Sequence, residues 1–265
     1  MIPNILSIAG SDPSGGAGVQ ADIKSISANG GYAMAAITAL TAQNTRGVQA
    51  VQLMDAGIIT AQIASIRADI RIDAVKIGML GNASIIGAVA AALDGLGAPV
   101  VLDPVMVAKG GDRLLAAEAV DALRRLLLPM AALITPNLPE AADLLHAPEA
   151  RSKDEMLAQA HRLMDMGARA VLLKGGHLGG ASSPDLLLHA GCAEWLEGKR
   201  IDSQSTHGTG CTLSSAIAAR LGAGLPLSEA VGRSKTYITG AISGAERLDV
   251  GGGHGPTHHF YALSE

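Results

Sequence analysis

The chain has 265 residues, 48% hydrophobic and 17% charged, with a formal net charge of −4, which is enough apolar material for one sizeable α/β core. Acids and bases are interspersed rather than gathered into a basic face, and one Trp, one Phe and three Tyr supply almost no stacking platform, so a nucleic-acid or membrane-surface role is excluded. Two cysteines, a start (MIPNILSIAGSD) without a secretory pattern, and apolar runs too short to span a bilayer point to a cytoplasmic enzyme domain.

Taken in chain order, short aliphatic runs alternate with helical spacing. Ile5–Ala9, Ala33–Leu40 and Val48–Leu53 predict strands, then come a helix over Ala56–Ile70 and a strand at Val75–Met79. A helix over Ser84–Leu96, a strand at Val100–Asp103, a helix over Ala116–Leu128 and a strand at Ala132–Thr135 continue the alternation, followed by helix Lys153–Met166 and strand Ala170–Lys174. Such alternation builds βαβ units, and continuous apolar strands belong to a parallel sheet covered on both faces. After Lys174 the pattern changes. Ser183–Ala190 and Cys192–Ile201 flank Gly191 as an antiparallel edge hairpin, and helices resume over Ser214–Arg220 and Leu227–Glu246. The Gly- and His-rich stretch Val250–His259 predicts an irregular tail, in which His254, His258 and His259 form a mobile end rather than a zinc site. No linker or repeat interrupts the pattern, so one domain over 1–265 is expected.

Ligands of an open parallel sheet sit beyond the carboxyl ends of its strands. Those ends carry Gly10-Ser11-Asp12, Thr41–Asn44, Met79-Leu80-Gly81, Asp103-Pro104-Val105, Pro136-Asn137 and Gly175-Gly176-His177. The strongest local signal is Thr206-His207-Gly208-Thr209-Gly210-Cys211-Thr212, a glycine-rich turn running into a helix. Glycines let backbone approach a ligand, and the first-turn N–H groups with the positive end of the helix dipole suit the charge of a transferring phosphoryl group. Cys211 sits where a thiol pKa tends to fall, so a thiolate there would take the proton of an alcohol; an ordinary glycine-rich connection with a buried Cys is the competing reading. Gly16-Ala17-Gly18-Val19-Gln20-Ala21 matches the dinucleotide pattern, but it begins too far past its strand and has no ribose-binding acid after it, and no Walker P-loop occurs. Asp103 and Glu140 are the best Mg²⁺ candidates, because that ion takes oxygen ligands and needs few carboxylates beside ATP phosphates; first-turn dipole complementation competes for Glu140. Lys174 closes a strand before two glycines and reaches a phosphate as a point charge, or is merely a solvated strand-end lysine.

Seven segments, Ser7–Asp22, Ile37–Thr45, Lys76–Leu80, Val101–Val105, Thr135–Glu140, Leu172–His177 and His207–Thr212, together resemble the hydroxymethylpyrimidine/phosphomethylpyrimidine kinases of the ribokinase superfamily. The resemblance spans almost the whole chain, with Gly-Thr-Gly-Cys-Thr its most specific member. It implies a ribokinase-like three-layer αβα sandwich with a mostly parallel sheet and an antiparallel edge hairpin. It further implies phosphorylation by ATP of 4-amino-5-hydroxymethyl-2-methylpyrimidine and then of its monophosphate, in thiamine biosynthesis, by a homodimer.

Carried over by position, Gln43 reads the pyrimidine ring and its amino group. Val19, Met79 and Val105 wall the ring, Gly10 allows close approach and Asp22 helps place the substrate. Lys174, Asn137, Thr209 and Gly208 contact the ATP phosphates, Glu140 and Asp103 hold Mg²⁺, and Cys211 with Gly208, Gly210 and Lys174 carries the chemistry. Sugar kinases of the superfamily have Asp where Cys211 stands. A thiol that stays neutral until proton transfer would tolerate an already phosphorylated acceptor that a fixed carboxylate would repel. The chain departs from the family at Gly110, where Ser is usual. A pyridoxal kinase, an inactive nucleotide- or pyrimidine-binding sensor and an NAD-dependent oxidoreductase are the competing functions; Gln43 and Cys211 favour the pyrimidine over pyridoxal.

Overall fold

In the computed structural model, residues 1–106 and 117–263 are described; the Gly110 segment and the start of the expected helix at 116 lie outside them. The elements are β1 (Asn4–Ala9), α1 (Gly18–Ala28), β2 (Tyr32–Ile37), β3 (Ala39–Asn44), β4 (Gly47–Leu53), α2 (Ala56–Asp69), β5 (Ala74–Ile77), α3 (Ala83–Leu93) and β6 (Val100–Leu102). They continue as α4 (Ala117–Ala122), β7 (Leu133–Ile134), α5 (Leu138–Leu145), α6 (Lys153–Asp165), β8 (Ala170–Lys174), β9 (Asp185–His189), β10 (Cys192–Leu196), α7 (Thr209–Gly222) and α8 (Leu227–Ser243).

Eight strands form one sheet in the order β10-β9-β8-β7-β6-β5-β1-β2. From β8 to β2 every pairing is parallel, and β9 and β10 add an antiparallel edge. Alternate residues of a strand face opposite ways, and here both faces are apolar. Leu6, Ile8, Val75, Ile77, Leu102 and Val171 pack with Ile59 and Ile63 of α2, Ile85 and Val89 of α3, and Leu144 and Leu163 of α5 and α6. Their neighbours Ile5, Ala74, Val101 and Leu172 pack with Ile26 of α1, Leu213 and Ile217 of α7, and Val231 and Ile238 of α8. The result is the three-layer αβα sandwich that the sequence predicts. Local chemistry sets the helix starts: Asp55, Asn82 and Ser152 cap α2, α3 and α6 with side-chain oxygens on first-turn N–H groups.

Three expectations need correction. The strand expected over Ala33–Leu40 breaks at Thr38, whose N–H bonds Ala9 O at 3.0 Å and whose hydroxyl donates to Met79 O at 2.7 Å. Beyond it, β3 leaves the sheet and pairs with β4 as a separate antiparallel ribbon, with a bulge between Ala42 and Gln43. Helices α1 and α5 also form, where no helical stretch is evident from periodicity. The tail is irregular but tied down. His259 is buried and bonds Thr212 Oγ1 at 3.0 Å, Tyr237 donates to His259 O at 2.8 Å, and His207 N–H bonds Gly255 O at 3.0 Å. Among the described residues, no helix is long and apolar enough to cross a membrane and no His, Cys, Asp and Glu cluster suits a metal.

Candidate active site

The strand ends and the start of α7 enclose a cleft of about 760 Å³, within the range of small-molecule sites. Gly208 caps α7 with φ +73°, and a Cβ there would lie 1.8 Å from Gly16 O. Only glycine satisfies both the left-handed backbone and the contact. Thr209 closes the turn by donating its hydroxyl to Thr206 O at 3.0 Å. A Cβ on Gly210 would stand 3.4 Å from both Asp103 Oδ2 and Lys174 Nζ, so the first turn of α7 abuts the charged strand ends.

There Lys174 Nζ lies 3.1 Å from Asp103 Oδ1 and 3.9 Å from Glu140 Oε2. Asp103 also accepts from Thr135 at 3.1 Å and Ser214 at 3.3 Å. Burial opposes its ionisation, but Lys174 and Lys76 outweigh that and hold its carboxyl below the ordinary range. Lys174 is likewise held above its ordinary value, since Asp103 and Glu140 outweigh burial. Glu140 differs: burial, with Asp103 adding to it, pushes its carboxyl up to about 7 despite Lys174. Glu140 and Asn137 form a reciprocal cap on α5, with Asn137 N–H to Glu140 Oε2 and Glu140 N–H to Asn137 Oδ1, both 2.8 Å. The Asn137 oxygen keeps a second lone pair, so either it or Nδ2 can meet a ligand.

On the other flank, Gln43, Met79, Val105 and Gly10 line the same cleft. Met79 sulfur lies 3.1 Å from where a Cβ on Gly10 would stand, so a larger residue at 10 would push the sulfur aside. The structure thus brings Gly10, Gln43, Met79, Asp103, Val105, Asn137, Glu140, Lys174, Gly208, Thr209, Gly210 and Cys211 to one cavity.

Val19 and Asp22 are not in its lining. Val19 is buried under the loop, its N–H bonded to Gly10 O at 2.9 Å. Asp22 is 0% exposed and accepts from Ser7 at 2.6 Å, Ser215 at 2.8 Å and Lys76 at 2.8 and 2.9 Å. It is enclosed by its own partners, which corrects the expectation that it touches substrate. The thiol expectation is corrected too. Burial pushes Cys211 up to about 11, with Asp22 and Asp103 adding to it, and Lys76 and the Gly18 N–H only partly offset them. The helix start is too weak to win against desolvation.

Asp12 and Thr41, at the expected strand ends, and His207, in the glycine-rich turn, also line the cleft, although sequence alone assigned them no role. All three fall inside the quoted motifs, and a His beside the Gly-Thr-Gly turn was the available signal. Leu213, Ile238, Thr239 and Ile242 add an apolar wall from α7 and α8.

The phosphomethylpyrimidine kinase profile matches residues 12–258. A hydroxymethylpyrimidine/phosphomethylpyrimidine kinase of Salmonella typhimurium is 51% identical over 98% of this chain and 98% of its own length. A thiamine biosynthesis bifunctional protein of Geobacter sulfurreducens is 46% identical over 99% of this chain, which spans 53% of that longer protein. Among solved structures, an ADP complex of Bacillus subtilis pyridoxal kinase superposes with a TM-score of 0.92 at 38% identity, covering 100% of both chains. With a glycine-lined helix start, a half-buried lysine between carboxyl groups and a carboxamide across the cleft, the chain belongs to the phosphomethylpyrimidine kinase family.

Proposed function

We propose that this protein transfers phosphate from ATP to 4-amino-5-hydroxymethyl-2-methylpyrimidine and then to the resulting monophosphate, supplying the diphosphate for thiamine synthesis. The observation that carries this is the meeting of the α7 start, Lys174 and Asp103 within one cleft that also holds Gln43 and Cys211. Residues 1–265 act as one kinase domain in this reading, in the cytoplasm and as a homodimer.

Phosphoryl transfer asks a protein for position and for charge stabilisation. Lys174 and the N–H groups of Gly208, Gly210 and Cys211 face the transferring group. Asn137 Nδ2 holds a neighbouring phosphate oxygen, and Thr209 joins it once its hydroxyl turns from Thr206 O to the phosphate. Leu213, Ile238 and Ile242 offer the base of ATP an apolar surface. Gln43 holds the acceptor ring against Met79 and Val105, turning its hydroxymethyl oxygen toward Cys211. In the small fraction of molecules whose Cys211 has released its proton to solvent, the thiolate takes the proton of that oxygen as the new phosphorus–oxygen bond forms and the bond from phosphorus to the ADP oxygen breaks. The thiol is neutral at rest, so the second acceptor, itself anionic, meets no fixed negative charge at that position. Asp103 and Glu140 are hard oxygen donors that share a single ammonium, a set that fits Mg²⁺. When bound, that ion neutralises phosphate charge.

The test is incubation with ATP, Mg²⁺ and hydroxymethylpyrimidine, with products followed by mass. Sequential mono- and diphosphate support the proposal, and no phosphorylated pyrimidine contradicts it. The likeness to a pyridoxal kinase structure favours one second reading, phosphorylation of pyridoxal. A specificity constant for pyridoxal above that for hydroxymethylpyrimidine would make it the main activity.

A further inference from the structure

Asp12 and His207 lie in the same cleft, come from opposite ends of the chain and are nearly enclosed, at 1% and 7% exposure. Asp12 accepts from every side. Its Oδ1 takes the Ser14 N–H at 2.9 Å and the Ser14 hydroxyl at 2.6 Å, and its Oδ2 takes the Ala17 N–H at 2.8 Å and His207 Nε2 at 2.7 Å. A carboxylate so surrounded by donors is an acceptor only, so His207 Nε2 carries hydrogen. Burial opposes this ionised form, but the bonds from His207 and Ser14 outweigh it and hold the carboxyl below its ordinary range.

That assignment reaches Gln43. The end of its carboxamide lies 3.5 Å from His207 Nε2, and the opposite end lies 3.3 Å from Thr41 Oγ1. The two ends of a carboxamide have nearly the same shape, and the surrounding donors and acceptors decide which is which. The hydrogen on His207 Nε2 points mainly at Asp12 Oδ2, and the 3.5 Å contact to Gln43 is a weaker second arm of the same donor, which only the oxygen of Gln43 can accept. Thr41 agrees from the other side. Its hydroxyl hydrogen goes to Ser11 O at 2.9 Å, so it has only a lone pair left, which accepts an N–H of Gln43. The reverse orientation sets N–H against N–H at His207 and turns the Gln43 oxygen toward the lone pairs of a Thr41 hydroxyl whose hydrogen is already given to Ser11 O.

We infer that Asp12 and His207 are positioning residues that fix the Gln43 carboxamide in one orientation, and thereby determine specificity for an acceptor with a ring nitrogen beside an exocyclic amino group. With one N–H engaged by Thr41 and one oxygen lone pair by His207, the carboxamide keeps one donor and one acceptor, side by side, for the cleft. An aminopyrimidine edge complements that pair; a hydroxypyridine such as pyridoxal does not. The inference rests on Gln43 reading the acceptor.

The test compares KM and kcat for hydroxymethylpyrimidine and for pyridoxal in Gln43→Leu, His207→Leu and His207→Gln, the last keeping a donor near the Nε2 position. His207→Leu is expected to raise KM for hydroxymethylpyrimidine by about 5- to 10-fold, the loss of a weak contact that orients the carboxamide. Its kcat at saturation and its KM for pyridoxal change by less than about 3-fold, and His207→Gln recovers most of the affinity. If Gln43→Leu leaves the KM for hydroxymethylpyrimidine unchanged, the assignment of Gln43 to the acceptor fails. If Gln43→Leu raises it while His207→Leu lowers kcat equally for both substrates at unchanged KM, the positioning role is overturned on its own. A nitrogen-15 spectrum of the unaltered protein needs no variant to fold: hydrogen on His207 Nε2 supports the inference, and a bare Nε2 overturns it.

Discussion

The two flanks of the cleft solve opposite problems. On the acceptor flank, the polar groups of Gln43, Thr41, His207 and Asp12 bond one another and their backbone neighbours, and the Asp12 charge is enclosed by its own partners. On the phosphate flank, Lys174 serves both Asp103 and Glu140, and Glu140 is pushed up to about 7 as a result of burial and its neighbours. The acceptor side is settled before anything binds, whereas the phosphate side sets two carboxyl groups against one ammonium. In the proposed function, specificity and charge stabilisation thereby fall to different residues of one cavity.

Breaking the phosphate flank should have the largest effect. Lys174→Met removes the ammonium from Asp103, Glu140 and the phosphates, and kcat/KM is expected to fall by about 10³-fold, on the scale of losing a preorganised charge-stabilising group; steady-state kinetics with both acceptors checks it. Beneath both flanks lies the fully buried pair Lys76 and Asp22. Lys76→Met strands a buried carboxylate and should cost about 3–5 kcal/mol in urea melts, and adding Asp22→Leu should restore most of that. Cys211→Asp places a fixed negative charge between the flanks. It is expected to slow the second phosphorylation about 10-fold more than the first, a like-charge cost near 1.4 kcal/mol, and equal losses in both rates would remove the charge explanation.

The smallest effect concerns pH. The Glu140 carboxyl is raised from 4.5 to about 7 in the fold, so the native state holds the extra proton between those values. Stability from this group is full below pH 4.5 and is lost as pH rises through 7. Glu140→Gln should flatten that slope, shifting the difference in Tm across the window by about 2–4 °C per kcal/mol removed.

What was legible in the sequence followed from local rules. The sandwich came from strand–helix alternation, and Asp103 and Lys174 came from asking what stands at the carboxyl ends of parallel strands. The Gly208–Cys211 turn announced itself through glycines that the geometry does require, with φ +73° at Gly208. What was not legible depends on distant neighbours. The break at Thr38 is decided by Met79 O, 41 residues away, and the Asp12–His207 contact joins positions 195 apart. Asp22 follows a glycine motif and looked like a substrate residue, but three partners from β1, β5 and α7 enclose it. The thiol was misjudged for the same reason. A helix start is visible in sequence, whereas the burial that overrides it is a property of the finished fold.

The most direct test of the proton-acceptor role is the rate of the first phosphorylation, by rapid quench, as a function of pH in the unaltered protein and in Cys211→Ala. A thiol raised to about 11 is scarcely ionised at neutral pH, so the rate should climb as pH rises toward that value, while Cys211→Ala should be slower by about 10²- to 10⁴-fold, flat with pH and little changed in pyrimidine KM. A variant that kept both the rate and the slope would show that Cys211 takes no proton.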